Sequence, residues 1–160
     1  GILRALEYAA RGSMQASNHV PPQSELTVEH VMPQSWAGLP DYQIPDMTEA
    51  QQKLRELAVQ GFGNLTLLTQ PLNSSVSNGP FPDSADEASA RVLGKRSRLG
   101  QSALLMNTWF QQSGLSQWDE DAISTRAQAL AKAALLVWPR PFEAGANPVA
   151  VAAALNGTST

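Results

Sequence analysis

Apolar positions along the chain fall into short blocks separated by proline, glycine and asparagine. In residues 2–10, Leu3, Leu6 and Ala10 share a side, which predicts a short helix or strand. Residues 11–24 carry Gly12, Ser13, Asn18, Pro21 and Pro22, the composition of a loop. Residues 25–32 set Leu26, Val28 and His30 against Thr27, Glu29 and Val31. That period of two predicts a strand, which Pro33 ends by removing a backbone donor. Residues 36–47 hold Gly38, Pro40 and Pro45 and read as a loop anchored by Trp36 and Tyr42. Thr48 with Gln51 three residues on forms a capping-box pattern. It predicts a helix to about Val59, with Leu54, Leu57 and Ala58 inward and Gly61 and Gly63 past its end.

Residues 64–69 (NLTLLT) form a second strand-like block. Residues 71–82 are rich in Pro, Asn, Ser and Gly and read as turns. Residues 86–107 predict helix in two pieces, around Gly94 and Gly100, with Leu104, Leu105 and Trp109 toward the core. Residues 119–138 carry the clearest helical period: Ile123, Ala127, Leu130, Ala134 and Val137 share a face. Asp119, Glu120 and Asp121 stand at its start, where the helix dipole favours negative charge. Pro139 closes it. Residues 142–160 are rich in Ala, Gly and Pro and predict a flexible C-terminal tail, leaving 1–141 as one domain. The fold class expected is α+β and mostly helical. Two short strands are too few for an independent sheet, so helices must hold them.

Composition narrows the chemistry. The chain has 160 residues, of which 42% are hydrophobic, enough for a core without staples. It has no cysteine, which excludes disulfide frameworks, thiolate-held zinc, iron–sulfur clusters and thiol nucleophiles. No apolar run reaches the roughly 18 residues of a membrane span, and the first residues lack a signal-peptide core, so an intracellular location is expected. A formal net charge of -3 argues against a general polyanion binder. The distribution is uneven, however: residues 88–116 carry Arg91, Lys95, Arg96 and Arg98 and no acid. That stretch is a candidate DNA-binding face or, on the bland reading, a solvated helix face. Trp36, Trp109, Trp118 and Trp138 read as core and edge anchors rather than base-stacking platforms. His19 sits in a Pro/Asn/Ser loop and reads as exposed. The four methionines read as gap-fillers.

Three segments carry candidate chemistry: EHVMPQ (29–34), GNLTLL (63–68) and LNSSVSN (72–78). Hydrolysis of a phosphodiester needs a base near neutrality, and histidine is the natural one. A divalent ion can neutralise the charge that builds on the phosphate. Mg²⁺ takes oxygen ligands and keeps several waters, so one carboxylate and one amide suffice. His30, Glu29 and Asn73 are the right types, and Asn64, which both donates and accepts, could fix the backbone that bears the base. Neighbours in a regular strand point to opposite faces, so Glu29 and His30 serve one site only if the strand breaks near Pro33. Taken alone, the three segments read as a one-metal hydrolase or as ordinary strand and turn chemistry.

The runs LTVEHVMPQSW and GNLTLLTQPLNSSVSN, followed by KRSRLGQSALLMN and WDEDAISTRAQALAKAALLVWPRP, resemble the HNH (His-Me finger, ββα-metal) nucleases. Within these they are most similar to the C-terminal nuclease domain of GmrSD-type modification-dependent restriction enzymes. The resemblance spans residues 2–141. It implies a ββα-metal core wrapped by helices, with His30 as general base, Glu29 and Asn73 as metal ligands and Asn64 bracing the loop of the base. It implies Mg²⁺, or another divalent cation such as Mn²⁺, as cofactor. Lys95 takes a catalytic place and, with Arg96, Arg98 and Arg91, contacts DNA. Asn78 also falls at a family-like position.

The resemblance further implies a DNA endonuclease of a prokaryotic, cytoplasmic anti-phage system, with an N-terminal modification-sensing, nucleotide-hydrolysing domain as partner. No glycine-rich phosphate loop ending in Lys-Ser or Lys-Thr occurs here to supply that second activity. One active site per chain fits nicking, with 5′-phosphate and 3′-hydroxyl products. Two departures stand out. Residues 81–94 look longer and more acidic than expected before Lys95, and the third motif position is Asn rather than His, which favours an oxygen-bound ion over zinc. The rival reading is a degenerate nuclease that docks DNA or a partner without turnover.

Overall fold

The computed structural model describes residues 1–12, 25–76, 78–86, 89–139 and 147–158. The architecture is α+β and mostly helical, as the pattern predicts. Helix α1 spans Ile2–Arg11 and strand β1 Leu26–His30, and α2 spans Glu49–Gln60. Strand β2 (Leu65–Thr69) runs directly into α3 (Gln70–Val76). A small hairpin of β3 (Ser84–Asp86) and β4 (Ser89–Val92) precedes α4 (Lys95–Gly100). Long helix α5 (Glu120–Val137) and α6 (Pro148–Leu155) complete the order. His19 and most of the first predicted loop lie outside the described residues.

Strands β1 and β2 pair antiparallel, with Glu29 opposite Thr66 and His30 opposite Leu65. With α3 following β2 without a loop, the order at this point is strand, strand, helix. β2 separates two apolar clusters. Leu67 packs with Leu3, Leu6, Leu26, Leu130, Val151 and Leu155, while Leu68, one residue on, packs with Trp36, Tyr42, Phe81, Phe110 and Trp118. Burial on both faces explains why NLTLLT shows an apolar run rather than alternation. β1, by contrast, leaves Val28 half exposed.

Several elements differ from the pattern. Residues 71–76, expected as turns, form α3: Pro71 sits in the first turn, where its missing donor costs nothing. The Ser74 and Ser75 hydroxyls donate back to the carbonyls of Gln70 and Leu72. Residues 86–107 are not two helices. The first piece is the β3–β4 hairpin, α4 has six residues, and a 3-10 segment covers Leu105–Gln111. Helix α2 starts at the expected capping box, in which Thr48 Oγ1 accepts from Gln51 N–H and the Gln51 amide oxygen accepts from Thr48 N–H. Its inward face is different. Leu54 and Leu57 are exposed, and Arg55 and Val59 are buried instead. The reason is polar: Arg55 makes a bidentate pair with Glu120, donates to the Tyr42 carbonyl and lies 5.3 Å from the Trp36 ring centroid. The buried stripe of α5 likewise shifts to Ile123, Arg126, Ala129, Leu130 and Ala133, because two neighbours, α6 and the turn at Phe62–Asn64, cover it.

The expected loose tail is corrected as well. Residues Pro148–Leu155 form α6, capped by the Asn147 side chain and packed on α1 and α5 with Val151 and Leu155 buried. Trp36, Trp109 and Trp118 are buried anchors as expected, and Trp138 is half exposed. No helix among the described residues is long and apolar enough to cross a membrane.

Candidate active site at the ββα junction

Where β1, β2 and α3 meet, a cleft of about 350 Å³ opens to solvent. Glu29, His30, Gln34, Ser35, Asn73 and Asn78 give it polar walls, and Val31, Leu68 and Val76 give it apolar ones. Glu29 and His30 both line it, although a regular strand would part them. β1 ends at His30 and the chain bends through Val31 and Met32. Asn73, near the middle of α3, reaches across to β1: its Nδ2 donates to Glu29 Oε1 at 2.7 Å. The structure therefore brings Glu29, His30 and Asn73 to one cavity.

The backbone just past His30 is fully accounted for. Asn64 is buried, and its side chain uses its whole hydrogen-bonding capacity. Oδ1 accepts from Met32 N–H at 2.8 Å and from Trp118 Nε1–H at 2.9 Å, and Nδ2 donates to the carbonyls of Met32 and Val59 at 2.9 Å each. Val31 N–H donates to the Asn64 carbonyl at 2.9 Å. Lys95 Nζ donates to the Val31 carbonyl at 2.8 Å. Every backbone polar group of Val31 and Met32 is thus held, by Asn64 or by Lys95. This arrangement has the geometry of a brace for the end of β1.

The basic run behaves differently from a solvated basic face. Lys95 is 2% exposed and lines the cleft, with its ammonium 5.7 Å from the Tyr42 ring centroid. Arg96 donates to the Gln112 carbonyl, and Arg98 donates to those of Leu93 and Ser75. Both are half-buried and tied to backbone. Arg91 lies in β4, and its side chain falls outside the described residues. Lys95 thus shares the cleft with Glu29, His30 and Asn73, with little of its surface open to solvent.

Burial also lowers the Lys95 pKa to about 8, against the opposing pull of Glu29. Between about 8 and the ordinary value of 10.5, the unfolded chain holds more protons at this position than the folded one. Stability therefore rises with pH across that window. In EDTA, the melting temperature of the parent should gain on that of Lys95→Met between about pH 7.5 and about pH 10. A difference that stays constant contradicts this.

Two site-bearing residues escape sequence reading. Trp118, read as an apolar anchor, also donates its indole N–H to Asn64. Arg126 is 1% exposed; it donates through Nη1 to the carbonyls of Gly63 and Leu65 and through Nη2 to Thr66 Oγ1. Burial pulls its pKa down to about 9, which still leaves it charged at neutrality. The signal that could have found it is an arginine inside the apolar stripe of a helix.

The fold and cleft define a helical α+β domain whose polar site sits on a strand–strand–helix unit. The family model for the C-terminal domain of GmrSD restriction endonucleases matches residues 1–133. The chain belongs to that family. No curated protein and no solved structure shows significant similarity to it.

Proposed function

We propose that this chain is a divalent-cation-dependent DNA endonuclease domain that hydrolyses one phosphodiester at a time. The observation that supports it most is that Glu29, His30 and Asn73 line one cleft, with the Asn73 amide on the Glu29 carboxylate. In this reading His30 takes a proton from water, the water oxygen bonds to phosphorus, the bond from phosphorus to the 3′ oxygen breaks, and that oxygen takes a proton from solvent. The products carry 5′-phosphate and 3′-hydroxyl ends.

The donor set suits a hard cation. Among the described residues no three His, Cys, Asp or Glu side chains converge, so a dedicated protein cage is not what the site offers. Asn73 Nδ2 lies 2.7 Å from Glu29 Oε1, and with the amide turned so that Oδ1 takes that side, one carboxylate and one amide oxygen suit an ion that keeps most of its waters, as Mg²⁺ or Mn²⁺ does. When bound there, the ion would supply electrostatic stabilisation of the phosphate and the leaving oxygen. Glu29 and Asn73 would hold it, and Asn64 and Lys95 keep the end of β1 in place beside them.

Selection of modified or invading DNA would then fall to the rest of a restriction protein, with a nucleotide-hydrolysing N-terminal domain as partner and a prokaryotic cytoplasm as setting. These parts of the proposal rest on family membership. The test of the whole is relaxation of supercoiled plasmid by the chain with Mg²⁺ or Mn²⁺, with EDTA as control. Nicked circles that vanish in EDTA are expected; DNA binding without turnover at any metal concentration overturns the reading. In the same assay Asn73→Ala should raise the cation concentration for half-maximal nicking by about tenfold or more. A titration curve that overlays the parent's removes Asn73 from the ligand set.

A further inference from the structure

The element that holds the brace itself is α5. Asn64 stands at the end of the turn Phe62–Asn64, and α5 grips that turn in two ways. The first is contact of backbone on backbone. A Cβ added at Gly63 would lie 2.0 Å from the Ile123 carbonyl oxygen and 2.8 Å from the Ala127 nitrogen, so only glycine allows this approach. The second is Arg126, whose guanidinium bonds the carbonyls on either side of Asn64, those of Gly63 and Leu65, at 2.8 and 2.6 Å.

The chemistry of Arg126 is unusual for a packing residue. Its acceptors are two carbonyls and one hydroxyl, and among the described residues no carboxylate pairs with it. Its Nε is buried without a partner. Desolvating a cation without a counter-charge is costly, and an apolar side chain of similar size would fill the space at lower cost. What a flat fork adds is placement, because its hydrogens fix the two carbonyls relative to each other. Those carbonyls flank the residue that holds Met32.

We propose that Arg126 is a positioning residue for the site, acting through Asn64 on the backbone that presents His30. The proposal rests on the reading of His30 as the base, so its test carries one arm that does not depend on cleavage. In the 160-residue chain, Arg126→Lys and Arg126→Met are compared with the parent. The first arm is hydrogen exchange of the Met32 amide and the Trp118 indole N–H, both of which donate to Asn64, measured against amides of α1. The second arm is kcat and KM for plasmid nicking.

Exchange at Met32 and Trp118 should accelerate about tenfold or more relative to α1, with lysine between parent and methionine. kcat should fall by about tenfold or more while KM stays within about twofold. If Arg126→Met does not fold, Arg126→Lys alone decides. Exchange at Met32 that changes only in step with α1 overturns the proposal, and so does a kcat within about twofold of the parent. A parent chain that never cleaves DNA defeats the nuclease reading, and the exchange arm then still decides whether Arg126 holds Asn64 in place.

Discussion

His30→Ala is expected to lose nearly all metal-dependent plasmid nicking, by a factor of about 10² to 10⁴, the usual worth of a positioned general base. The ring lines the cleft and is half-buried, so the core loses little with it. The variant should keep its fold and its DNA affinity. Circular dichroism and a gel-shift titration in Ca²⁺ check these two points, and relaxation of supercoiled plasmid in Mg²⁺ checks the loss. Undiminished nicking by a folded variant removes His30 from the mechanism. Loss of nicking together with loss of fold would instead mark His30 as structural, which its half-buried place in the lining of an open cleft argues against.

The second large effect is on stability. Asn64→Ala removes one side chain and leaves four buried groups unpaired: Met32 N–H, Met32 C=O, Val59 C=O and the Trp118 indole N–H. Each orphan costs about 1–3 kcal/mol, so the sum is at least about 4 kcal/mol. For a chain of this length that is a fall in melting temperature of about 8–16 °C. It is also a large share of the roughly 5–15 kcal/mol that holds a domain folded. Asn64→Asp sharpens the test. An aspartate keeps the acceptors but loses both donors, and it places a carboxylate against two carbonyls. Its pKa in the folded chain must rise above the unfolded value, so the folded state binds the extra proton and stability falls as pH rises between the two. Asn64→Asp should therefore melt closer to the parent at about pH 5 than at about pH 8. A drop in melting temperature under about 3 °C for Asn64→Ala contradicts the four-bond account.

The site was more legible in the sequence than the framework around it. Glu29, His30, Asn64 and Asn73 were singled out by residue type and motif, and the structure brings Glu29, His30 and Asn73 to one cleft with Asn64 behind it. Polar residues in fixed order leave a readable trace because their chemistry restricts the choice. The framework was harder where polar groups are buried. Periodicity treats arginine as an outward residue, so Arg55 and Arg126 were invisible to it, and with them the inward faces of α2 and α5. The bond from the Lys95 ammonium to the Val31 carbonyl is likewise a tertiary fact that a basic cluster in the sequence does not reveal.

Composition misled at α6. The Ala, Gly and Pro content of residues 142–160 suggests a loose segment, yet Asn147 followed by Pro148 is a cap and first-turn signal, and Val151 and Leu155 stand one helical turn apart. At α3 the serines and asparagines of LNSSVSN suggested turns. A strand feeding directly into the helix, and the bond from Asn73 to Glu29, favour helix there, and both are tertiary facts that local propensity does not contain.

The central claim is that Glu29 and Asn73 share a divalent cation beside His30. Anomalous scattering from crystals of the chain soaked in Mn²⁺ tests it without any need for turnover. The account predicts one strong peak in the cleft, within about 2.0–2.6 Å of a Glu29 carboxylate oxygen and of the Asn73 amide oxygen. A peak bound elsewhere on the chain, with this cleft empty at saturating Mn²⁺, would contradict it.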